Sequence, residues 1–291
     1  MASKVERIAV LAMRLSGRHM SEYGSYKSRH DFTQNQLMAC LILRAYMRTT
    51  YRGFVDFLAG HQVLRTALGM EGKLPHYTTL QKFSTRSNVL AIADALLAQI
   101  GKAALDAAGK GRKPVAVAID ATGMETSTAS AHFVSRSGRE RRRWVKLSTA
   151  VVCGCLFPIG LVADWGPTND KCQAEDLLSK SFDVPLNCLP QRLYADAGYD
   201  ADWIHEMCRG EWGIESVIKP ARCRADGSLG GEHRSAMTSE YLKKRGYGKR
   251  WHIESFFSGL KRMMGSALCS RTDGNLLKEA AIRVLAYALH R

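Results

Sequence analysis

The hydrophobic periodicity of the chain changes once, and that change divides it. Up to about residue 112 apolar residues recur at helical spacing; from Val115 they run in short continuous stretches bounded by turns. Phe32 to Met47 carries Leu37, Cys40, Leu41, Leu43 and Tyr46 at helical intervals. Two short units follow, opening at Tyr51 and at Gln62, the second stopped by Gly69. Pro75 leads into a third, where Thr78 or Thr79 would cap a helix running through Phe83 toward Leu97. Short helices joined by tight turns predict an all-α region, 1–112, of helix-turn-helix-like DNA-binding type, with a plain helical subdomain as the alternative. The Gly/Lys-rich stretch Ala108 to Pro114 places the domain boundary, with the second domain at 113–291.

The second part reads as strands and helices of an α/β core. Val115–Ile119 is continuously apolar and ends in Asp120. Trp144–Cys153 and Leu156–Ala163 predict an antiparallel pair, Arg192–Ala195 a short strand ending in Asp196, and Val217–Pro220 a fifth strand. Helices fit Gln173–Lys180, Ala201–Arg209 and Gly248–Met264. That order of elements predicts a mixed sheet flanked by helices.

Charge narrows the partners. Lys and Arg number 42 against 27 Asp and Glu, a formal net charge of +15. Such an excess favours polyanions: DNA, RNA or an anionic membrane surface. The longest uncharged stretch, Leu147–Ala163, is broken by Gly154, Pro158 and Gly160, so no membrane span is expected. Lys4, Arg7, Arg14 and Arg18 interrupt the apolar residues of the N-terminus, which does not read as a secretory signal. The 8 cysteines include no C-x-x-C pair and read as reduced thiols of a cytoplasmic protein.

Three carboxylates stand out. Asp120 and Asp196 each end a strand, where side chains of open α/β sheets face a crevice. Small residues flank both, in Ala121-Thr122-Gly123 and Tyr194-Ala-Asp-Ala-Gly-Tyr-Asp200. An isolated Asp in such a place is more often a turn or cap residue. The last helix changes the weighing. At about 100° per residue, Tyr247, Arg250, Glu254 and Lys261 fall within roughly 60° of one another, beside an apolar face of Ile253, Phe256, Phe257, Leu260, Met263 and Met264. Carboxylate oxygens are ligands for Mg²⁺, which keeps coordination sites for phosphate oxygens. Paired ions of this kind promote in-line displacement at phosphorus, and Arg250 and Lys261 would neutralise backbone phosphates beside it.

Tyr247-x2-Arg250-x3-Glu254-x6-Lys261, following Asp120 in Ala-Ile-Asp-Ala-Thr-Gly and Asp196 in Ala-Asp-Ala-Gly-Tyr-Asp, resembles the signature of DDE transposases from bacterial and archaeal insertion sequences. The resemblance covers about Val115 to Gly265, and Gly166-Pro-Thr-Asn169-Asp170 is similar to the loop after the third strand in that family. It implies an RNase H-like core with Asp120, Asp196 and Glu254 as catalytic residues and ligands of two Mg²⁺ ions, for which Mn²⁺ would substitute. It implies DNA-phosphate contacts by Tyr247, Arg250 and Lys261. The implied activity is cleavage of double-stranded DNA at terminal inverted repeats and strand transfer into target DNA. The implied partner in a paired-end complex is a second copy of the chain, acting on nucleoid DNA in the cytoplasm. The stretch from Pro220 to Gly248 is too short for the large insertion domain of some relatives. The apolar run Ala280–Leu289 leaves room for a short further C-terminal piece.

Arg139, Arg141, Arg142 and Arg143 precede the Trp144 strand and are expected on a hairpin tip as DNA contacts, the alternative being a solvated turn. His132 and Arg136 are as compatible with a surface role as with the site. Trp251 is expected to be a packed aromatic more than a base-stacking one, and His252 to be structural. Two other functions fit the residues: a catalytically silent, transposase-derived DNA-binding regulator, and a metal-dependent nuclease without strand transfer.

Overall fold

The computed structural model describes residues 2–27, 29–111, 114–126, 143–221 and 228–291. Its chain gathers into two compact units, one of Met1–Leu96 with Leu260–Arg291 and one of Leu97–Gly259.

The first unit is helical. It contains α1 (Lys4–His19), α2 (Gln34–Tyr46), α3 (Tyr51–Ala59), α4 (Gln62–Ala67), α5 (Tyr77–Ser84), the start of α6 (Val89–Gly109) and, from the far end of the chain, α12 (Asp273–His290). Ser3 and Thr33 open α1 and α2 with capping boxes, each hydroxyl accepting from the backbone of Glu6 or Gln36 while that side chain returns to the cap N–H. Every residue of α2 from Leu37 to Leu43 is buried. A helix apolar all round must be enclosed, and α1 and α12 both pack on it. The compact units therefore do not follow the linear cut expected at residue 112, because the apolar α12 finds its partner in α2. The helix expected to run from Thr78 toward Leu97 is two helices, since α5 ends at Ser84 and α6 begins at Val89. The cap of α5 is His76, whose side chain accepts from the Thr78 N–H.

The second unit is a five-stranded sheet with helices. Its strands are β1 (Ala116–Met124), β2 (Trp144–Val152), β3 (Pro158–Gly166), β4 (Arg192–Ala195) and β5 (Glu215–Ile218), in the order β3-β2-β1-β4-β5. The first three are antiparallel, while β1, β4 and β5 run parallel. This is the mixed sheet of an RNase H-like core. α7 (Ala174–Phe182) and α8 (Asp202–Trp212) cover a face of the sheet around buried Ile119, Leu177, Leu178, Leu193 and Ile204. Beyond β5 come α9 (Glu232–Ser235), α10 (Ser239–Lys244) and α11 (Trp251–Met264). Among the described residues no single helix is long and apolar enough to cross a membrane, and the cysteines form no disulfide.

Close packing of α7 on β3 depends on Gly160. A Cβ there would collide with Ser181 Oγ and lie 3.2 Å from the Leu177 carbonyl oxygen. Overpacking of this kind costs about 1–3 kcal/mol. Gly160→Ala is expected to lower the melting temperature, and adding Ser181→Ala to recover part of the loss. A thermal double-mutant cycle with no coupling between the two changes would show that α7 does not rest on this glycine.

Candidate active site

Asp120, expected at the end of its strand, lies inside β1. Pairing of β1 with β4 stops at Ala118, while pairing with β2 continues through Met124. From Asp120 onward β1 has thus lost the neighbour on one side, and this opens the crevice into which its carboxylate looks. Oδ1 accepts from the Ala121 N–H at 2.8 Å, and the side chain is 19% exposed. Asp196 directly follows β4. Its Oδ1 accepts from the Gly198 N–H at 2.8 Å and caps the short 3₁₀ turn Ala197–Tyr199. The ordinary turn role and a place beside Asp120 coexist in this residue.

The third carboxylate arrives on α11. The helix expected over Gly248–Met264 starts at Trp251, and Tyr247–Arg250 forms a 3₁₀ turn ahead of it. Side chains three apart eclipse in a 3₁₀ turn, so Tyr247 and Arg250 still share a side. Glu215 at the start of β5 fixes this lead-in, accepting from Tyr241 at 2.6 Å and pairing with Arg245 at 2.8 Å and with Arg192 at 2.9 Å. Tyr194 on β4 donates to the Arg245 carbonyl at 2.8 Å. The result is one guanidinium shared between two acids. Arg250 pairs with Asp120 at 3.1 Å and also with Glu254. The Tyr247 hydroxyl donates to the Ala195 carbonyl at 3.2 Å, holding the peptide just before Asp196.

Asp120, Asp196, Glu254, Tyr247 and Arg250 therefore come together. Lys261 follows about two turns beyond Glu254 on the same helix. Arg143 stacks its guanidinium on Trp165, 4.2 Å from the ring centroid. Arg139, Arg141, Arg142, His132 and Arg136 lie outside the described residues. Trp251, expected to be packed, is 55% exposed and stacks on His252, which in turn bonds to the Lys249 carbonyl.

A fourth acid was quoted from the sequence only as part of the loop after the third strand. Asp170, in the turn after β3, lies close enough to Asp120 to disfavour its charge. A Cβ on Gly198 would collide with Asp170 Oδ2 and lie 2.9 Å from Asp196 Oδ1, so those carboxylates meet over that glycine. Lys146 on β2 holds Asp170 at 2.7 Å and donates to the Thr168 carbonyl at 2.6 Å. Its signal in the sequence is a lysine inside the otherwise uncharged run of β2, where a buried charge requires a partner.

Burial is the main force pushing the Asp120 carboxyl up to about 6; the negative charges of Asp196 and Asp170 add to it, and the Ala121 N–H and Arg250 oppose it. A cluster of acids with this bias calls for more positive charge than Arg250 and Lys146 supply. Its donor set is all carboxylate, which suits a hard divalent cation such as Mg²⁺. Among the described residues, however, no three His, Cys, Asp or Glu side chains converge as a ready-made metal cage. Glu254 is turned to Arg250 instead. The residues thus fit the chemistry of the metal, and its binding would compete with the guanidinium.

The raised pKa has a consequence for stability. A carboxyl that ionises less readily in the fold than in the unfolded chain opposes folding above its folded pKa, and the penalty fades as pH falls from about 6 toward 4. One pKa unit is worth about 1.4 kcal/mol, so the full penalty is roughly 3 kcal/mol at most. Asp120→Asn is expected to raise the melting temperature at pH 7.5 in chelator, with the gain vanishing near pH 4. A gain that grows on acidification would contradict this placement of Asp120.

The sequence was compared with known families and with curated proteins. The family described as "Transposase DDE domain" matches residues 111–289. No curated protein matches the chain. The matched span contains the whole sheet, both aspartates and the Tyr247–Lys261 segment, and it makes up more than half of the chain: this protein belongs to the DDE-domain transposases.

Proposed function

We propose that the chain cleaves DNA strands at the terminal repeats of a mobile element and transfers them to target DNA, using divalent metal. The observation that carries this reading is the meeting of Asp120 and Glu254 on a single arginine, with Asp196 beside Asp120, at the point where β1 parts from β4. Asp120, Asp196 and Glu254 would hold Mg²⁺ or Mn²⁺, which when bound would supply charge stabilisation for displacement at phosphorus. The chain's own residues do the rest. Tyr247 holds the Asp196 peptide in place through Ala195. Arg250, released from the carboxylates, binds a backbone phosphate near the cut as a bidentate fork. Lys261 takes a further phosphate as a point charge. The reading makes the chain a cytoplasmic, nucleoid-acting protein that works as a homodimer with two DNA ends. The +15 charge supports it, since steering toward DNA is a matter of net field.

Glu254→Gln and Lys261→Ala separate catalysis from binding. Glu254→Gln keeps shape and hydrogen-bonding atoms but removes a negative charge from the metal site. It is expected to abolish cleavage, a loss of 10³-fold or more, on the order of 4 kcal/mol. End binding should be unchanged or slightly tighter. Lys261→Ala is expected to weaken end binding and to keep residual cleavage at high Mg²⁺. Gel-shift and cleavage assays on one end substrate read both effects. Full cleavage by a well-folded Glu254→Gln protein would overturn the assignment.

A further inference from the structure

The helical unit contains a cavity of about 620 Å³. The C-terminal turn of α2, the N-terminus of α3 and the residues entering α12 line it. Its charge is one-sided. Arg44, Arg48, Arg271 and Arg283 face it, against the single carboxylate of Glu279. That carboxylate is already engaged: it pairs with Arg283 at 2.6 Å and accepts from the backbone N–H groups of Cys269 and Ser270. Three guanidinium groups are left over.

Each of the three is short of acceptors. Arg44 is stacked on Tyr51, 4.2 Å from the ring centroid, and donates to the Thr49 carbonyl at 3.1 Å. Its Nε is buried with no hydrogen-bond partner. A buried donor of a charged group carries a cost until an acceptor arrives. The side chains of Arg48 and Arg271 make no ion pair or hydrogen bond among the described residues. Arg48 is also one of two non-glycine residues with a left-handed backbone among the described residues, φ 53°, a strained state that persists where the surroundings dictate it. The N-terminus of the 18-residue α12 meets the same cavity through Thr272, whose side chain makes no capping hydrogen bond. A helix start adds positive potential, here reduced by Asp273 in the first turn.

We infer that this cavity is a phosphate-binding site that takes backbone phosphates of DNA, a contact surface separate from the carboxylate cluster and built jointly by α2, α3 and α12. The volume suits a nucleotide-sized group, and guanidinium forks with threonine hydroxyls are the donors that phosphate oxygens select. The inference rests on the reading of DNA as the substrate. It adds that the C-terminal helix takes part in gripping it.

The test is fluorescence anisotropy of a labelled DNA duplex across a salt series, with the full chain. Arg48→Ala/Arg271→Ala removes two guanidiniums that hold nothing else, so the fold should survive, and circular dichroism melts check that it does. The variant is expected to bind roughly tenfold more weakly, and the slope of log K against log[salt] to shrink by about 0.9 per lost phosphate contact, nearly 2 in all. Lys102→Ala on α6 together with Lys110→Ala just after it removes the same charge elsewhere and should move the slope much less. If the wild type binds steeply and the arginine variant matches it, the inference falls and the DNA reading stands. If the wild type fails to bind the duplex even at low salt, the DNA reading falls and takes the inference with it. If inorganic phosphate raises the melting temperature of the wild type but not of the variant, while duplex binding is equal in both, the cavity serves a small free anion and the inference is overturned.

Discussion

Arg250 holds two carboxylates that reach it from opposite directions along the chain, Asp120 from 130 residues away and Glu254 from the next turn of its own helix. Arg250 and Lys146 bring two positive charges, against up to four negative ones from Asp120, Glu254, Asp196 and Asp170. The region is therefore under-neutralised, and burial makes that imbalance felt at Asp120. Much of the second unit serves to keep these groups in place. Glu215 gathers Arg192, Tyr241 and Arg245, and Tyr194 and Tyr247 bond to carbonyls on either side of the 3₁₀ turn. Without those ties, repulsion among the acids would be relieved by letting the α11 lead-in move away.

The same imbalance explains how structure and chemistry can be compatible without a finished metal cage. An arginine between carboxylates stabilises them at modest cost, because its planar fork satisfies both and it is weakly hydrated. It can then exchange them for a phosphate, which presents the same pair of oxygens. Glu254, 55% exposed, is the acid best placed to turn. Asp120 and Asp196 are held by backbone N–H groups and have less freedom.

What the sequence made legible follows from local rules. Helical phase put Tyr247, Arg250 and Glu254 on one side, and strand-end logic marked Asp120 and Asp196; those readings need no knowledge of pairing. The pattern of five strands was readable because apolar runs bounded by turns are short-range signals. Asp170 and Lys146 were not readable, because their ion pair depends on the register of β2 against β3 and on the turn that follows. The partner of α12 was equally hidden. Ala280 to Leu289 announces a helix, but a helix apolar on nearly every side does not say which other element will enclose it. Tyr247 shows a third kind of limit. The expectation put its hydroxyl on DNA, whereas in this structure a backbone carbonyl takes it, a contact no spacing rule encodes.

The pairing of α2 with α12 makes the helical unit discontinuous, with the whole sheet inserted between its two pieces. On the ribosome, α2 emerges early with α1 to cover part of its apolar stretch Leu37–Leu43, and the rest waits for α12, while the sheet unit, contiguous from Leu97 to Gly259, can close as soon as its own residues are out. The sheet unit can thus close before the helical half, and chaperone demand should fall on α1 to α5 during that interval. Tyr46 at the end of α2 and His290 at the end of α12, their rings 5.5 Å apart, are one place where the two pieces of the helical unit meet.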